Sequence, residues 1–332
     1  MTRILAAHSK SIEEAASVLR GGGLVGMPTE TVYGLAANAC DGKAVARIFE
    51  AKGRPQFNPL IVHVNTLDNV AQIAELTAHD ITLAQNFWPG PLTMILRRKD
   101  DCGLSDLVSA GLPTVAVRIP SHKTARALIQ ACGFPLAAPS ANKSGSLSPT
   151  TPAHVVQSLG DAVDVILADG ACAVGLESTV VDCTGDAPCI LRPGGITAED
   201  LSGALGMDVP YDLGAGGDDA DAVKSPGQLL KHYAPSVPVR LNAVDVAAGE
   251  ALLSFGSIKF MALKEGGAAV DLPEGRLSHL SKDGDLYEAA ANLFAMMRAL
   301  DKPEHTAIAV MNIPETGIGV AINDRLRRAA QS

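Results

Sequence analysis

Two clusters in this 332-residue chain collect side chains that suit anions. Lys52-Gly53-Arg54 sets two positive charges around a glycine, with Asn58 close behind. Ser140-Ala141-Asn142-Lys143-Ser144-Gly145, followed by Ser148, offers hydroxyls, a carboxamide, an ammonium and approachable backbone N–H groups. Such types suit a phosphate cradle. Neither a G-x-x-x-x-G-K-[ST] loop nor a G-x-G-x-x-G turn occurs, so a nucleotide would be held without a P-loop or a dinucleotide fingerprint. Other polar residues interrupt apolar stretches. Thr29, Glu30 and Thr31 follow Val25-Gly26-Met27, His63 sits inside Leu60 to Val64, and Arg118 closes Thr114 to Ile119. Glu177 and Ser178 precede an apolar run, and Arg192-Pro193-Gly194-Gly195 follows one. Taken singly, each has an ordinary role: a cation at a helix end, a satisfied core histidine, a serine in a turn. Together they fall at strand-to-loop junctions, where an open α/β sheet forms its ligand crevice.

The elements that must hold these residues follow from periodicity and punctuation. Ser11 is expected to cap a helix that has Glu14 at its third position and stops at Gly21-Gly22-Gly23. Asp41 is expected to cap a second helix, with Val45, Ile48 and Phe49 on one face, ending at Lys52-Gly53. Strands are expected at 24–27, 60–64, 92–96, 114–119, 136–138, 163–168 and 179–182, and a helix across the eighties ends before Pro89. Strands alternating with helices give an α/β class, and some connections are too short for a crossover helix, so the sheet should be mixed. After about Tyr211 the composition turns rich in glycine and aspartate without apolar periodicity, which reads as a linker. The chain is thus divided into residues 1–210, a linker over 211–236 and a smaller α/β domain, Rossmann-like, over 237–332. That last domain should hold strands at 237–241, 251–255 and 306–311 and helices at 286–300 and 321–330.

Composition narrows the function. Apolar residues make up 47% and charged residues 19%, a globular balance, while aromatics are only 4%. The net charge of −9 speaks against a chain whose main work is coating nucleic acid. The six cysteines form no C-x-x-C pair and have no histidine cluster at zinc spacing, so reduced structural thiols and no protein-held metal are expected. The first ten residues are too polar for a signal peptide, and no apolar run approaches the roughly 18 residues of a membrane helix. A soluble cytoplasmic protein is the expectation.

The segments GLVGMPTETVYGLAANA, KGRPQFNPLIVHV, FWPGPLTMIL, TVAVRIPSH, PLAAPSANKSGSLSPT and ESTVVDCTG with ILRPGGIT resemble, in order, those of the YrdC-like family. SPGQLLKHYAPSVPV resembles the joining segment of its long, two-domain form. The likeness covers about residues 10 to 240. It implies a twisted mixed sheet with a concave active-site face. It also implies condensation of L-threonine, bicarbonate or CO2, and ATP to threonylcarbamoyl-AMP and pyrophosphate, with Mg2+ accompanying the ATP. By the same likeness, Lys52, Arg54, Ser140 and Asn142 form the catalytic signature. Thr31, His63, Arg118, the Ala138 backbone and Ser178 would hold threonine. Arg54, Asn58, Thr114, Ser140, Ser148 and Arg192 would contact ATP, and Tyr233 would reach over the nucleotide from a linker acting as a lid.

The implied partners are these small molecules and downstream threonylcarbamoyl-transferase proteins. Contact with tRNA would be indirect or transient, and no membrane is involved. Three rivals remain at this stage, one of them that the C-terminal domain is the active unit and the rest its scaffold. An RNA-binding module is disfavoured by the charge and the scarcity of aromatic stacking residues. A carbamoyl-transfer role like that of hydrogenase-maturation proteins would call for acylphosphatase and zinc-finger segments, which this sequence does not contain.

Overall fold

The computed structural model describes residues 1–213, 233–259, 261–264 and 266–331. Most of the expected lid, SPGQLLKHYAP, lies outside these residues. The chain divides into two compact units. The first holds Met1–Ser144, Ser148–Ala173 and the described part of Glu177–Leu229; the second holds Gly145–Leu147, Val174–Leu176 and the described part of Leu230–Ser332.

The first unit is built on ten strands: β1 (Arg3–Ala6), β2 (Val25–Met27), β3 (Gly34–Asn38), β4 (Ile61–His63), β5 (Leu92–Arg97), β6 (Thr114–Arg118), β7 (Leu136–Ala137), β8 (Val165–Ala168), β9 (Thr179–Asp182) and β10 (Cys189–Arg192). They form one sheet in the order β1-β8-β2-β3-β7-β4-β6-β5-β9-β10. The sheet is mixed: β4 runs parallel to β6, while β7 runs antiparallel to both β3 and β4.

Eight helices accompany the strands among the described residues: α1 (Ser9–Arg20), α2 (Gly42–Lys52), α3 (Leu67–Ile73), α4 (Ala78–Phe87), α5 (Asp106–Ser109), α6 (Lys123–Cys132), α7 (Pro152–Leu159) and α8 (Ala198–Leu205). Side chains alternate across a strand, so each face has its own core. Val62, Val115, Val117, Met94, Leu96 and Val181 face a core shared with Val45 and Ile48 of α2, Leu83 of α4 and Leu201 of α8. On the other face, α1 and α6 cover only one half, packing Leu19 and Leu128 against Val25, Met27, Leu136 and Val165. Over β4, β6, β5, β9 and β10 that face carries a separate small apolar cluster of Ile61, Ala116, Ile95, Val180 and Leu191.

Two local outcomes differ from the sequence reading. Helix α1 begins at Ser9, and its cap is His8, whose ring accepts from the Ser11 N–H at 3.2 Å. Ser11 is already inside the helix, its hydroxyl turned onto the same ring, because β1 delivers the chain to the helix three residues earlier than expected. Strand β3 went unforeseen: GLAAN has no β-branched residue, and it forms because Met27↔Gly34 and Val25↔Ala36 pair antiparallel with β2. The six residues between β2 and β3, Thr29 to Thr31 among them, are therefore a hairpin connection.

The second unit holds a parallel four-stranded sheet in the order β11-β16-β13-β15, from β11 (Val239–Arg240), β13 (Ala251–Phe255), β15 (Leu277–Ser281) and β16 (Ile308–Val310). A two-stranded ladder of β12 (Asp245–Val246) and β14 (Ala262–Leu263) stands beside it in sequence. Helices α9 (Leu286–Leu300) and α10 (Gly319–Ala329) complete the unit.

Candidate functional site

His63 and Arg118 are register partners at the carboxyl ends of the parallel strands β4 and β6. Both are buried, at 3% exposure each. They share the sheet face with Ile61 and Ala116, which lie two residues back on the same strands. Arg118 spends its donors on three acceptors. Nε reaches the Gly90 carbonyl at 3.3 Å, one terminal nitrogen donates to Thr31 Oγ1 at 2.8 Å, and the other lies 2.7 Å from Glu30 Oε1. Thr29 and Thr31 share a hydroxyl contact of 2.8 Å that stiffens the hairpin connection.

Burial is the largest single effect and raises the Glu30 carboxyl, but the Arg118 charge, the Arg118 hydrogen bond and the backbone N–H groups of Glu30 and Ser121 together outweigh it and hold Glu30 below the ordinary carboxylate range. Burial, followed by the Arg118 charge, lowers His63 to about 3, so its ring is neutral. Its Nδ1 lies 3.2 Å from the Ile61 carbonyl. In the neutral ring Nδ1 then carries the hydrogen and Nε2 is left as an acceptor.

The second group gathers around the end of α2. Asp41 caps this helix, accepting from the Lys43 N–H, and Gly53 closes it in the left-handed conformation (φ 58°). Lys52, 2% exposed, donates to the carbonyl oxygens of Ser140 and Asn142 at 2.5 Å each. Burial, then the Arg54 charge, pushes its ammonium pKa well down. Arg54 folds back on its own loop, donating to Asn58 Oδ1 at 2.6 Å and to the Pro59 carbonyl at 2.9 Å. Strand β7 carries the chain into the 138–142 loop, where the Ala138 N–H donates to the Ile61 carbonyl at 3.0 Å and Ser140 bridges Gly34.

The third group stands over β9 and β10. Arg192 donates to the Ser178 carbonyl at 2.9 Å and to Ser178 Oγ at 3.1 Å. Ser178 Oγ lies 2.7 Å from Thr93 Oγ1. The Ser148 hydroxyl donates to the Glu177 carboxylate.

The structure thus brings Thr31, His63 and Arg118 together, Lys52 with Ser140 and Asn142, Arg54 with Asn58, and Ser178 with Arg192, all in the first unit. Thr114 stands apart from Arg118, at the amino end of β6 and one strand length (roughly 13 Å) away. It lines a cavity of about 410 Å³ with Glu75, Arg97, Arg98 and Thr184. Tyr233 belongs to the second unit, where its ring is 1% exposed, 5.5 Å from the Phe294 ring and 5.2 Å from the Arg325 guanidinium. Two acids beside the site, Glu30 and Glu177, were given no role from sequence. The available signal was an acid set between hydroxyl residues or beside one at a strand-loop junction.

Two family models match the chain: one described as "Telomere recombination" over residues 17–194, the other as "Threonylcarbamoyl-AMP synthase, C-terminal domain" over residues 196–331. A threonylcarbamoyl-AMP synthase of Bacillus subtilis (strain 168) is 39% identical over 344 residues, covering 99% of this chain and 96% of that protein. One of Pyrococcus abyssi (strain GE5 / Orsay) is 38% identical, covering 96% and 94%. The crystal structure of P. abyssi Sua5 complexed with L-threonine superposes with a TM-score of 0.86 at 35% identity, covering 100% of this chain and 97% of that one.

Proposed function

The chain belongs to the threonylcarbamoyl-AMP synthase family, and from that membership we propose how its own residues divide the reaction. The enzyme condenses L-threonine, bicarbonate or CO2, and ATP to L-threonylcarbamoyl-AMP and pyrophosphate, the first step of tRNA threonylcarbamoyladenosine modification. In our reading it acts as a nucleotidyltransferase. Threonine lies at the carboxyl ends of β4 and β6, with its carboxylate on Arg118 and its polar groups toward Thr31, His63 Nε2, the Ala138 backbone and Ser178. The observation that carries this reading is the side-by-side placement of Arg118 and neutral His63, with Thr31 already bound to the guanidinium.

The triphosphate is assigned to Arg54, Asn58, Ser140, Ser148 and Arg192, with Lys52 and Asn142 shaping the loop beneath it. Tyr233 and Thr114 are kept as nucleotide contacts on the strength of the family resemblance. Mg2+ would accompany the ATP and would supply neutralisation of the phosphate charge, beside the triphosphate that Arg54 and Arg192 are assigned to hold. The threonine amine adds to CO2, forming the N–C bond and releasing a proton. A carbamate oxygen then attacks the α-phosphorus, and the bond to pyrophosphate breaks. Two anions must meet, so fixed cations and N–H donors lower the barrier without reorganising during the step.

Within the cell we place the enzyme in the cytoplasm, handing its labile product to a threonylcarbamoyl-transferase. No helix among the described residues is long and apolar enough to cross a membrane. The test is pyrophosphate release from ATP, measured with each amino acid in turn, with and without bicarbonate. Release should require both threonine and bicarbonate. Equal release with other amino acids, or with none, refutes the assignment.

A further inference from the structure

Glu30 is a buried acid whose charge has only a shared counter-charge. Its side chain is 10% exposed, and its Oε1 lies 2.7 Å from an Arg118 nitrogen. Its oxygens take the Arg118 ion pair and the backbone N–H groups of Glu30 and Ser121, and Arg118 is the cation whose charge acts on it. Arg118 is meanwhile divided between Glu30, Thr31 and the Gly90 carbonyl. A buried carboxylate whose one counter-charge is divided in this way is costly unless something else completes it. The groups around it do not supply charge: His63 is neutral, and burial pushes the nearby Cys172 thiol up to about 12.

We infer that Glu30 is the counter-charge for the substrate's α-ammonium group, so that Arg118 and Glu30 bind the amino acid as a zwitterion. The inference rests on the reading that Arg118 takes the substrate carboxylate. In an α-amino acid the ammonium and carboxylate are neighbours on one carbon. Arg118 and Glu30 are likewise neighbours, 2.7 Å apart. Laid head to tail against this pair, the zwitterion makes a square of alternating charges. The free site is neutral, the substrate is neutral, and so is the complex, so no net charge is buried on binding. A 2-hydroxy acid of the same shape would bring an uncompensated negative charge against Glu30. Because Arg118 keeps Glu30 ionised, the carboxylate acts as a holding group for the ammonium and positions the nitrogen before it becomes a nucleophile.

The experiment is calorimetric titration of the full chain with two probes, L-threonine and the 2,3-dihydroxybutyrate that has hydroxyl in place of the ammonium. Glu30→Gln is expected to weaken threonine about tenfold or more, as loss of one member of a buried charge pair does. The dihydroxy acid should bind this variant at least as well as wild type, so the preference for threonine collapses. Glu30→Asp, which keeps the charge but withdraws it by one methylene, should fall between. If Glu30→Gln loses its native circular dichroism, the same two titrations on Glu30→Asp decide the matter by the preference alone.

Unchanged or tighter threonine binding in Glu30→Gln overturns the inference, since Glu30 would then be idle or a competitor for Arg118. Equal weakening of both probes also overturns it, leaving Glu30 a support for the hairpin connection. Either result leaves the family reaction standing if wild-type enzyme still releases pyrophosphate with threonine. A wild-type enzyme that neither binds threonine nor releases pyrophosphate with it refutes both.

Discussion

Lys52 Nζ stands 2.5 Å from two main-chain carbonyl oxygens, those of Ser140 and Asn142. The Ser144 N–H returns a bond of 2.8 Å to the Lys52 carbonyl, so the last residue of α2 and the 140–144 loop are stitched in both directions. Lys52 therefore fixes the shape of the loop expected to hold the nucleotide.

Replacing Lys52 by Met keeps the apolar stem and removes the donors. Two carbonyls then lose a charged partner, at about 1–3 kcal/mol each. Lys52→Met should lower the urea midpoint and weaken ATP binding together. A variant with wild-type stability and wild-type nucleotide affinity would show that the loop holds its shape without the ammonium.

His63 makes stability sensitive to acid. Its folded-state value of about 3 lies below the ordinary 6.5, so between those values the unfolded chain binds the extra proton. Its contribution is intact above pH 6.5 and is lost as pH falls through the window toward 3. From pH 7 to pH 4 the loss is roughly 3 kcal/mol. Urea melts of wild type and His63→Gln at the two pH values check this. The variant should show a shallower acid dependence, and identical slopes would rule out a buried neutral imidazole.

Gly194 lies against backbone. A β-carbon there would fall 2.3 Å from the Thr179 nitrogen and 2.6 Å from the Glu177 carbonyl oxygen, and neither is a movable side-chain end. Gly194→Ala must push apart the turn after β10 and the segment that carries Ser178. Thermal unfolding should shift downward and threonine affinity should drop in the same variant. Gly53→Ala is the contrast: the added carbon meets nothing within 4 Å, and only the left-handed φ of 58° is strained. Its cost should be about 1 kcal/mol. Equal behaviour of the two variants would mean that close approach at Gly194 has no consequence.

The family resemblance implies that Tyr233 reaches over the nucleotide from a lid. Its burial against Phe294 and Arg325 gives a different forecast. Tyr233→Ala should destabilise the second unit by about 3 kcal/mol, the cost of emptying an aromatic site. Tyr233→Phe should keep most of that stability. Pyrophosphate release measured on both separates packing from any work of the hydroxyl. Full stability in the alanine variant would contradict the packing.

Much of the framework was legible because its signals are local. Thr179–Asp182, Ala251–Phe255 and Leu286–Leu300 fall where periodicity set them, and Asp41 and Gly53 bound α2 as punctuation implied. The misses have tertiary causes. Strand β3 is defined by its partner β2, since its own residues are weak strand formers. Helix α6, with Leu128 and Cys132 buried, lies in a stretch from which no helix was read, although it packs on the sheet face opposite α2. Within the site, residue types pointed to anion handling, but partnership did not show. Nothing in the spacing of Glu30 and Arg118 indicates that they meet across 88 positions. Contacts of that range depend on strand order, which a single sequence leaves open.

The apolar cluster of Ile61, Ala116, Ile95, Val180 and Leu191 shares its sheet face with His63 and Arg118, two of its members lying on their strands. Carbamates decompose by decarboxylation once their nitrogen is protonated. A lining of hydrocarbon offers no hydrogen to transfer, and a histidine held neutral down to about 3 is a poor acid at ordinary pH. A carbamate formed in the proposed site would meet no ready proton there, which would lengthen its lifetime and give the slower phosphorus chemistry time to catch up.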